Sequence, residues 1–384
     1  MRWRLVLFAA SVASMACFEA SDGDLGFHLA TGREILRSGR IPATNVLSFA
    51  EPLHPWLLHQ WLPALAFEWC WQHGGLGLLM VLKLWVVTAT WLLVYAAARA
   101  LAATPLIAAI CCLCAAAASA FRFELRPYLF THLTLALTLW ALARCAAPDA
   151  AGMGGSTHAS PRRAQLWAAA ALCAGCQLHA GALDSALILL LFAVGVALEP
   201  WRMRWLGAAP IAPHGARAAL GFVAAAVLGL GAAALLLALY HPWGARVLAF
   251  PFEMATQRYW GEHLIEFRHA WKLPLPYLLA YWAWLATVAL MLVTHPQRTH
   301  LGLWFWAAMY AALSLWYVRM VYAFAIVSVP LVAAGLSQRV AISTTPGRLR
   351  GSARPRDALF VLLCLAAPAY VYRDHTPGVA LSPS

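Results

Sequence analysis

Hydrophobic positions in this chain fall in long unbroken runs separated by short polar segments, rather than alternating with period two as half-buried strands do. A helix needs about 20 residues to cross the hydrocarbon core of a bilayer. Eleven runs approach that length, over 3–20, 76–97, 103–120, 128–143, 164–178, 183–199, 218–240, 274–293, 301–316, 320–337 and 358–371. In lipid, backbone N–H and C=O groups must be satisfied within the segment, which makes such runs helices. The pattern predicts an all-α fold, a polytopic transmembrane helical bundle of about 10–11 spans. Arg2 and Arg4 precede the first run as they would in a secretory signal. Ser14, before Met15-Ala16-Cys17, stands where a lipoprotein signal carries an aliphatic residue, so the run is expected to remain as an uncleaved first span.

The longest polar stretch, 21–75, follows the first span. Leu25, His28, Leu29, Ile35 and Leu36 recur at helical spacing, predicting an amphipathic helix over Asp24–Ser38 that stops at Gly39. Ile41–Trp56 holds Pro42, Pro52 and Pro55 and reads as extended. Leu57–Trp71 returns to helical spacing and is expected to lie along the membrane interface. The stretch reads as a partly helical outer loop capping the bundle, and 241–273 as a second outer loop.

Composition confirms the class. Of 384 residues 63% are hydrophobic and 11% charged, with mean hydropathy +0.70. Soluble domains carry about 25% charged residues, so a soluble globule is excluded, as is disorder. The net charge of +12 would suit nucleic acid only as a basic face on a soluble domain, and here the basic residues are scattered between spans. With the N-terminus cytoplasmic, the cytoplasmic segments hold fifteen basic and three acidic residues, and the opposite side eleven and twelve. That is the positive-inside asymmetry. Lys83 falls within a span. The nine cysteines lie mostly in apolar runs, and Cys111-Cys112-x-Cys114 has no His or carboxylate beside it, so no disulfide framework or metal site is read from them. Residues 1–340 are expected to form the transmembrane domain, 341–357 a basic cytoplasmic linker, and 358–384 a last span with a short tail.

Ionisable groups at membrane depth are costly and tend to face a cavity or a partner. Four clusters fall on the expected outer side: Asp22, Asp24 and His28; Arg122, Glu124 and Arg126; His179 and Asp184; and Arg319 in a tight turn. His59 and the loop containing Glu266 are placed to close over them. Two carboxylates followed by His suit a general base or a divalent cation such as Mg²⁺ or Mn²⁺, and arginine forks bind phosphate. Each residue also has a plainer reading. The acids open a solvated loop, Arg126 and Arg319 snorkel or pair with Glu124 or Asp184, His179 makes an interhelical hydrogen bond, and Glu266 forms a surface ion pair.

The stretch Asp22-Gly-Asp-Leu-Gly-Phe-His-Leu-Ala-Thr-Gly-Arg-Glu-Ile-Leu, then Gly39-Arg-Ile-Pro, Ser48-Phe and His59-Gln-Trp-Leu, resembles bacterial multispanning proteins of the GT-C glycosyltransferase-like superfamily, relatives of the dolichyl-phosphate-mannose-dependent protein mannosyltransferases. Later pieces follow in the same order: Arg126-Pro-Tyr-Leu-Phe-Thr, Leu178-His179-Ala-Gly, Pro242-x-Gly244 with Ile265-Glu266, and Arg319 before Ile326–Pro330. The chain departs from the family pattern at Gly26-Phe27, Gln60, Gln177 and His241.

The resemblance implies an inverting glycosyltransferase that moves a sugar from a polyprenyl-phosphate donor to a glycan, lipid or protein acceptor, at the outer face of the bacterial cytoplasmic membrane. It implies Asp22, Asp24 and His28 as catalytic residues, with a divalent cation on the two acids as one option. Arg126, His179, Arg319, His59 and Glu266 would bind substrate. No nucleic-acid partner is expected. A flippase for a lipid-linked substrate needs a polar path through the spans, whereas here the polar residues crowd one face. A non-catalytic membrane partner in envelope polysaccharide assembly would keep the scaffold alone.

Overall fold

The computed structural model describes residues 2–18, 23–48, 53–146, 160–211, 213–256, 264–294, 299–343 and 353–373. Among them are thirteen α-helices and no strand, with an isolated β-bridge between Thr44 and Pro55. The helices are α1 (Arg2–Ala16), α2 (Asp24–Ser38), α3 (Trp61–Ala100), α4 (Pro105–Ser119), α5 (Tyr128–Cys145), α6 (Pro161–Leu178), α7 (Leu183–Trp205), α8 (Ala216–Tyr240), α9 (Phe250–Thr256), α10 (Leu275–Thr294), α11 (Leu301–Trp316), α12 (Val321–Ser343) and α13 (Ala353–Tyr372). Each of the eleven expected spans is a helix. Six helical segments are long and apolar enough to cross a membrane by themselves: α3, α4 with its following turn, α7, α8, α10, and α12 with its preceding turn. The protein is an all-α integral membrane bundle.

The core of the bundle is α12. It packs against α3, α4, α5, α10 and α11, and 89% of its apolar window is buried. Helix α10 lies at the periphery, with 28% buried, and presents the rest to lipid. The last span returns alongside the first. Arg4 pairs with Asp357, the Ser11 hydroxyl donates to the Cys364 carbonyl at 2.8 Å, and the Tyr372 hydroxyl reaches Ser14 and Cys17. The near-constant offset in residue number makes α1 and α13 parallel neighbours.

The amphipathic helix forms where the spacing places it, Asp24–Ser38, and Gly39 ends it in the left-handed region at φ 65°, with its N–H bonded to the Ile35 carbonyl. The next helix differs from expectation. It begins at Trp61 rather than Leu57, and it runs without a loop into the second span. Its one break is Gly75 at φ 58°, ψ −150°, a conformation open to glycine, so the interfacial arm and the spanning arm are joined by a kink. Helix α2 lies against the interfacial arm at close range, since a Cβ on Gly32 would fall 2.1 Å from the Ala64 carbonyl oxygen. Arg33 reaches the buried Glu68 at 3.0 Å across the same seam.

Candidate functional site

Described residues of the four polar clusters, Asp24, Arg122, Glu124, Arg126, His179, Asp184 and Arg319, come near one another at the end of the bundle where α2 and α5 begin. Loop 123–127 is short, so Arg122, Glu124 and Arg126 stay close to the first turn of α5. Tyr128 in that turn organises them. Its hydroxyl donates to Glu124 at 3.0 Å, and the Arg122 guanidinium lies 4.0 Å from its ring centroid. From this base two ion pairs reach other segments. Arg126 lies 3.4 Å from Asp24 at the start of α2 and 3.6 Å from Glu124. Arg122, largely buried, lies 3.3 Å from Glu266 in the late outer loop.

Arg319 sits in the turn Val318–Met320 that joins α11 to α12, 4.8 Å over the Phe267 ring. The turn is held against the late loop by the Val318 N–H donating to the Arg268 carbonyl at 2.8 Å. Arg319 is within electrostatic reach of Glu266, Arg122 and Asp184. Arg126 thus pairs with Glu124 and Asp24, while Arg319 stands in electrostatic reach of Asp184.

The histidines form the other wall. His179 ends α6, and its Nδ1 lies 3.0 Å from both the Gly181 N–H and the Thr131 hydroxyl. Its ring meets His59 edge to face at 5.3 Å between centroids, and His59 in turn stacks on Phe250 at 3.9 Å. Burial, above all, drives the His59 pKa down to about 3, with His28, Arg319 and His241 adding to the effect. Burial likewise holds His179 well below the usual imidazole range, with help from His59 and Arg319.

His28 lies on the buried face of α2. It is buried in the seam between α2 and α3, edge-on to Phe27 and Phe67, with Gln60 at 3.4 Å from Nδ1. Asp22 lies outside the described residues. Among the described residues no three His, Cys, Asp or Glu side chains converge as a metal site would require. Asp24 is engaged by Arg126 at 3.4 Å.

The departures from the family pattern have structural work. Gln60 contacts His28. Gln177 accepts from the Tyr240 hydroxyl and so ties α6 to α8. His241 accepts from the Trp243 N–H at Nδ1 and donates from Nε2 to the Leu58 carbonyl at 3.1 Å, while the Trp243 indole donates to the Trp56 carbonyl at 2.8 Å. These bonds stitch the late loop onto the early one beside His59. Lys83 is a charged residue near the site to which sequence reasoning gave no role. It is fully buried, donates to the Phe18 carbonyl at 3.3 Å, and lies 3.6 Å from the Phe18 ring centroid.

No protein-family model matches the chain, and no curated protein matches it in sequence. Its fold is similar to that of the oligosaccharyltransferase AglB from Archaeoglobus fulgidus, solved in complex with an inhibitory peptide and a dolichol-phosphate. The TM-score is 0.60 at 13% identity, over 100% of this chain and 56% of that one. The same organism's oligosaccharyltransferase in the apo form gives 0.58 at 11% identity, covering 98% and 57%. The form tethered to an acceptor peptide gives 0.57 at 11%, covering 100% and 56%. The chain thus spans a little over half the length of each. These oligosaccharyltransferases have the GT-C fold, and this chain has that fold too.

Proposed function

We propose that the chain is a membrane glycosyltransferase that transfers a sugar from a polyprenyl-phosphate donor to an acceptor hydroxyl or amide at the outer face of the bacterial cytoplasmic membrane. The observation that carries the reading is the ion-pair chain at the site end of the bundle. Asp24, Arg126, Glu124, Arg122 and Glu266 come from three distant stretches of sequence, and Arg319, from a fourth, stands within electrostatic reach. Charge gathered from far apart at the edge of a bilayer is costly unless it has a use. The neighbours' fold and their lipid-linked donor chemistry fit this reading.

In it, the Asp24 carboxylate takes the proton of the acceptor as its nucleophilic atom attacks the anomeric carbon. The bond from that carbon to the phosphate oxygen breaks, the electron pair leaves on the phosphate, and the configuration inverts. Arg126 and Arg319 hold the phosphate and neutralise the charge that builds on it. Asp22 shares the role of base, and His28 braces α2 beneath them. His179, His59 and Glu266 line and close the chamber.

The test is transfer of radiolabelled glycan from a membrane lipid extract by the purified protein in nanodiscs. The parent is expected to transfer label, and Asp24→Asn to lose it. A parent that transfers label and an Asp24→Asn variant that transfers equally well would overturn the assignment.

A further inference from the structure

His179 is the residue that closes α6, with extended backbone at φ −162° and ψ 139°, and its ring folds back over the turn it opens. The Gly181 backbone N–H points at Nδ1 from 3.0 Å. A backbone amide only donates, so Nδ1 must present its lone pair. The Thr131 hydroxyl approaches the same atom from α5, also at 3.0 Å, and therefore donates as well. A neutral imidazole with a bare Nδ1 carries its proton on Nε2. Protonating Nδ1 would set an N–H against an N–H.

Space enforces the arrangement. A Cβ at Gly181 would fall 2.9 Å from Nδ1, 3.2 Å from Cε1 and 3.3 Å from the Thr131 hydroxyl. Any side chain there would push the ring off its donors. On the far side of the ring, Nε2 has no hydrogen-bond partner among the described residues, and His179 is only part-buried. The His59 ring lies beside it, with Arg319 in electrostatic reach.

We propose that Thr131 and Gly181 are positioning residues that lock the proton of His179 on Nε2, so that the ring acts as a fixed hydrogen-bond donor to the phosphate of the lipid donor. The inference rests on the glycosyl-transfer reading and adds to it a donor of set polarity. A phosphate oxygen can only accept. A neutral N–H beside Arg319 adds a second, directional contact without a second positive charge, and it strengthens as the phosphate takes on negative charge in the transition state.

The experiment pairs a tautomer measurement with a binding measurement. Histidine-¹⁵N-labelled protein in liposomes is compared with its His179→Gln variant by solid-state NMR at pH 7, which isolates the His179 signals. The expected result is a bare Nδ1 and a protonated Nε2 whose shift moves when undecaprenyl phosphate is added. Native mass spectrometry of nanodiscs then reads binding of undecaprenyl phosphate. Thr131→Val and Gly181→Ala are each expected to weaken it about tenfold, the loss of one hydrogen bond, while Thr131→Ser keeps it. Circular dichroism and thermal melts establish that the variants are folded. If the parent binds undecaprenyl phosphate but His179 carries its proton on Nδ1 or is doubly protonated, the lock is overturned. Unchanged binding in folded Thr131→Val and Gly181→Ala overturns it too. A parent that binds no undecaprenyl phosphate overturns both the phosphate role of His179 and the donor of the transfer reading.

Discussion

The Arg126 guanidinium lies 3.4 Å from the Asp24 carboxylate, across a sequence separation that spans two transmembrane helices. The pair is partly exposed, with Asp24 the more open of the two. Such a pair contributes little to stability, at most about 1 kcal/mol. Its value lies in orientation. Asp24→Asn is expected to cut transfer by about a hundredfold or more, the usual worth of a general base, while shifting the melting temperature little. Transfer assays and melts on the same preparation check both halves.

Arg122 and Glu266 make a different pair. The arginine side chain is 9% exposed, so Glu266→Gln leaves a poorly hydrated cation without its counter-charge. The expected cost is about 1–3 kcal/mol, less than for a fully buried pair because Glu266 retains some water. The double variant Arg122→Gln, Glu266→Gln should recover part of that loss in a thermal-stability cycle. Additive losses would show that the two groups do not interact.

His59 sets a pH dependence. Its folded pKa is about 3, below the ordinary 6.5. Between those values the unfolded chain binds a proton that the folded protein does not. The stabilising contribution is therefore present above pH 6.5 and is lost as the pH falls from there towards 3, with a slope of about 1.4 kcal/mol per pH unit for one proton. His179 acts in the same direction. The melting temperature should fall on acidification from pH 7.5 to 5, and fall less steeply in His59→Phe, which keeps an aromatic ring against Phe250.

Gly32 is where α2 touches the interfacial arm of α3. A methyl group there meets the Ala64 carbonyl and the Glu68 side chain, so the helices must part. Gly32→Ala is expected to cost about 1–3 kcal/mol, as overpacking does. Because α2 carries Asp24, it should also lower transfer more than an Ala substitution at the open Gly26. Parallel melts and assays of the two variants separate the effects.

The bundle was legible in the sequence because lipid leaves so little choice: a long apolar run has to be a helix. The amphipathic helix at Asp24–Ser38 was equally plain, since Leu25, His28 and Ile35 mark its buried face and Gly39 its end. The convergence of Asp24, Arg126, Glu266 and Arg319 followed from their shared side of the membrane. The continuation of α3 through Gly75 was not legible, because a glycine between two helical stretches reads as a stop as readily as a kink. His28 is buried in the seam between α2 and α3, where its place in the helical spacing puts it. Thr131 closes the Arg126-Pro-Tyr-Leu-Phe-Thr stretch, but nothing in that stretch shows that its hydroxyl meets His179. The stitching by His241 and Trp243 was hidden for another reason: its acceptors are the Leu58 and Trp56 carbonyls, and a backbone carbonyl leaves no mark on the residue that carries it.

The parallel course of α1 and α13 fixes which compartment each arm of the chain visits. Arg4 and Asp357 meet at one end, and Ser14 and Tyr372 at the other, where Asp24 also lies. A reporter fused after Tyr372 would share an aqueous phase with Asp24, while one placed before Arg4 would sit across the bilayer from both.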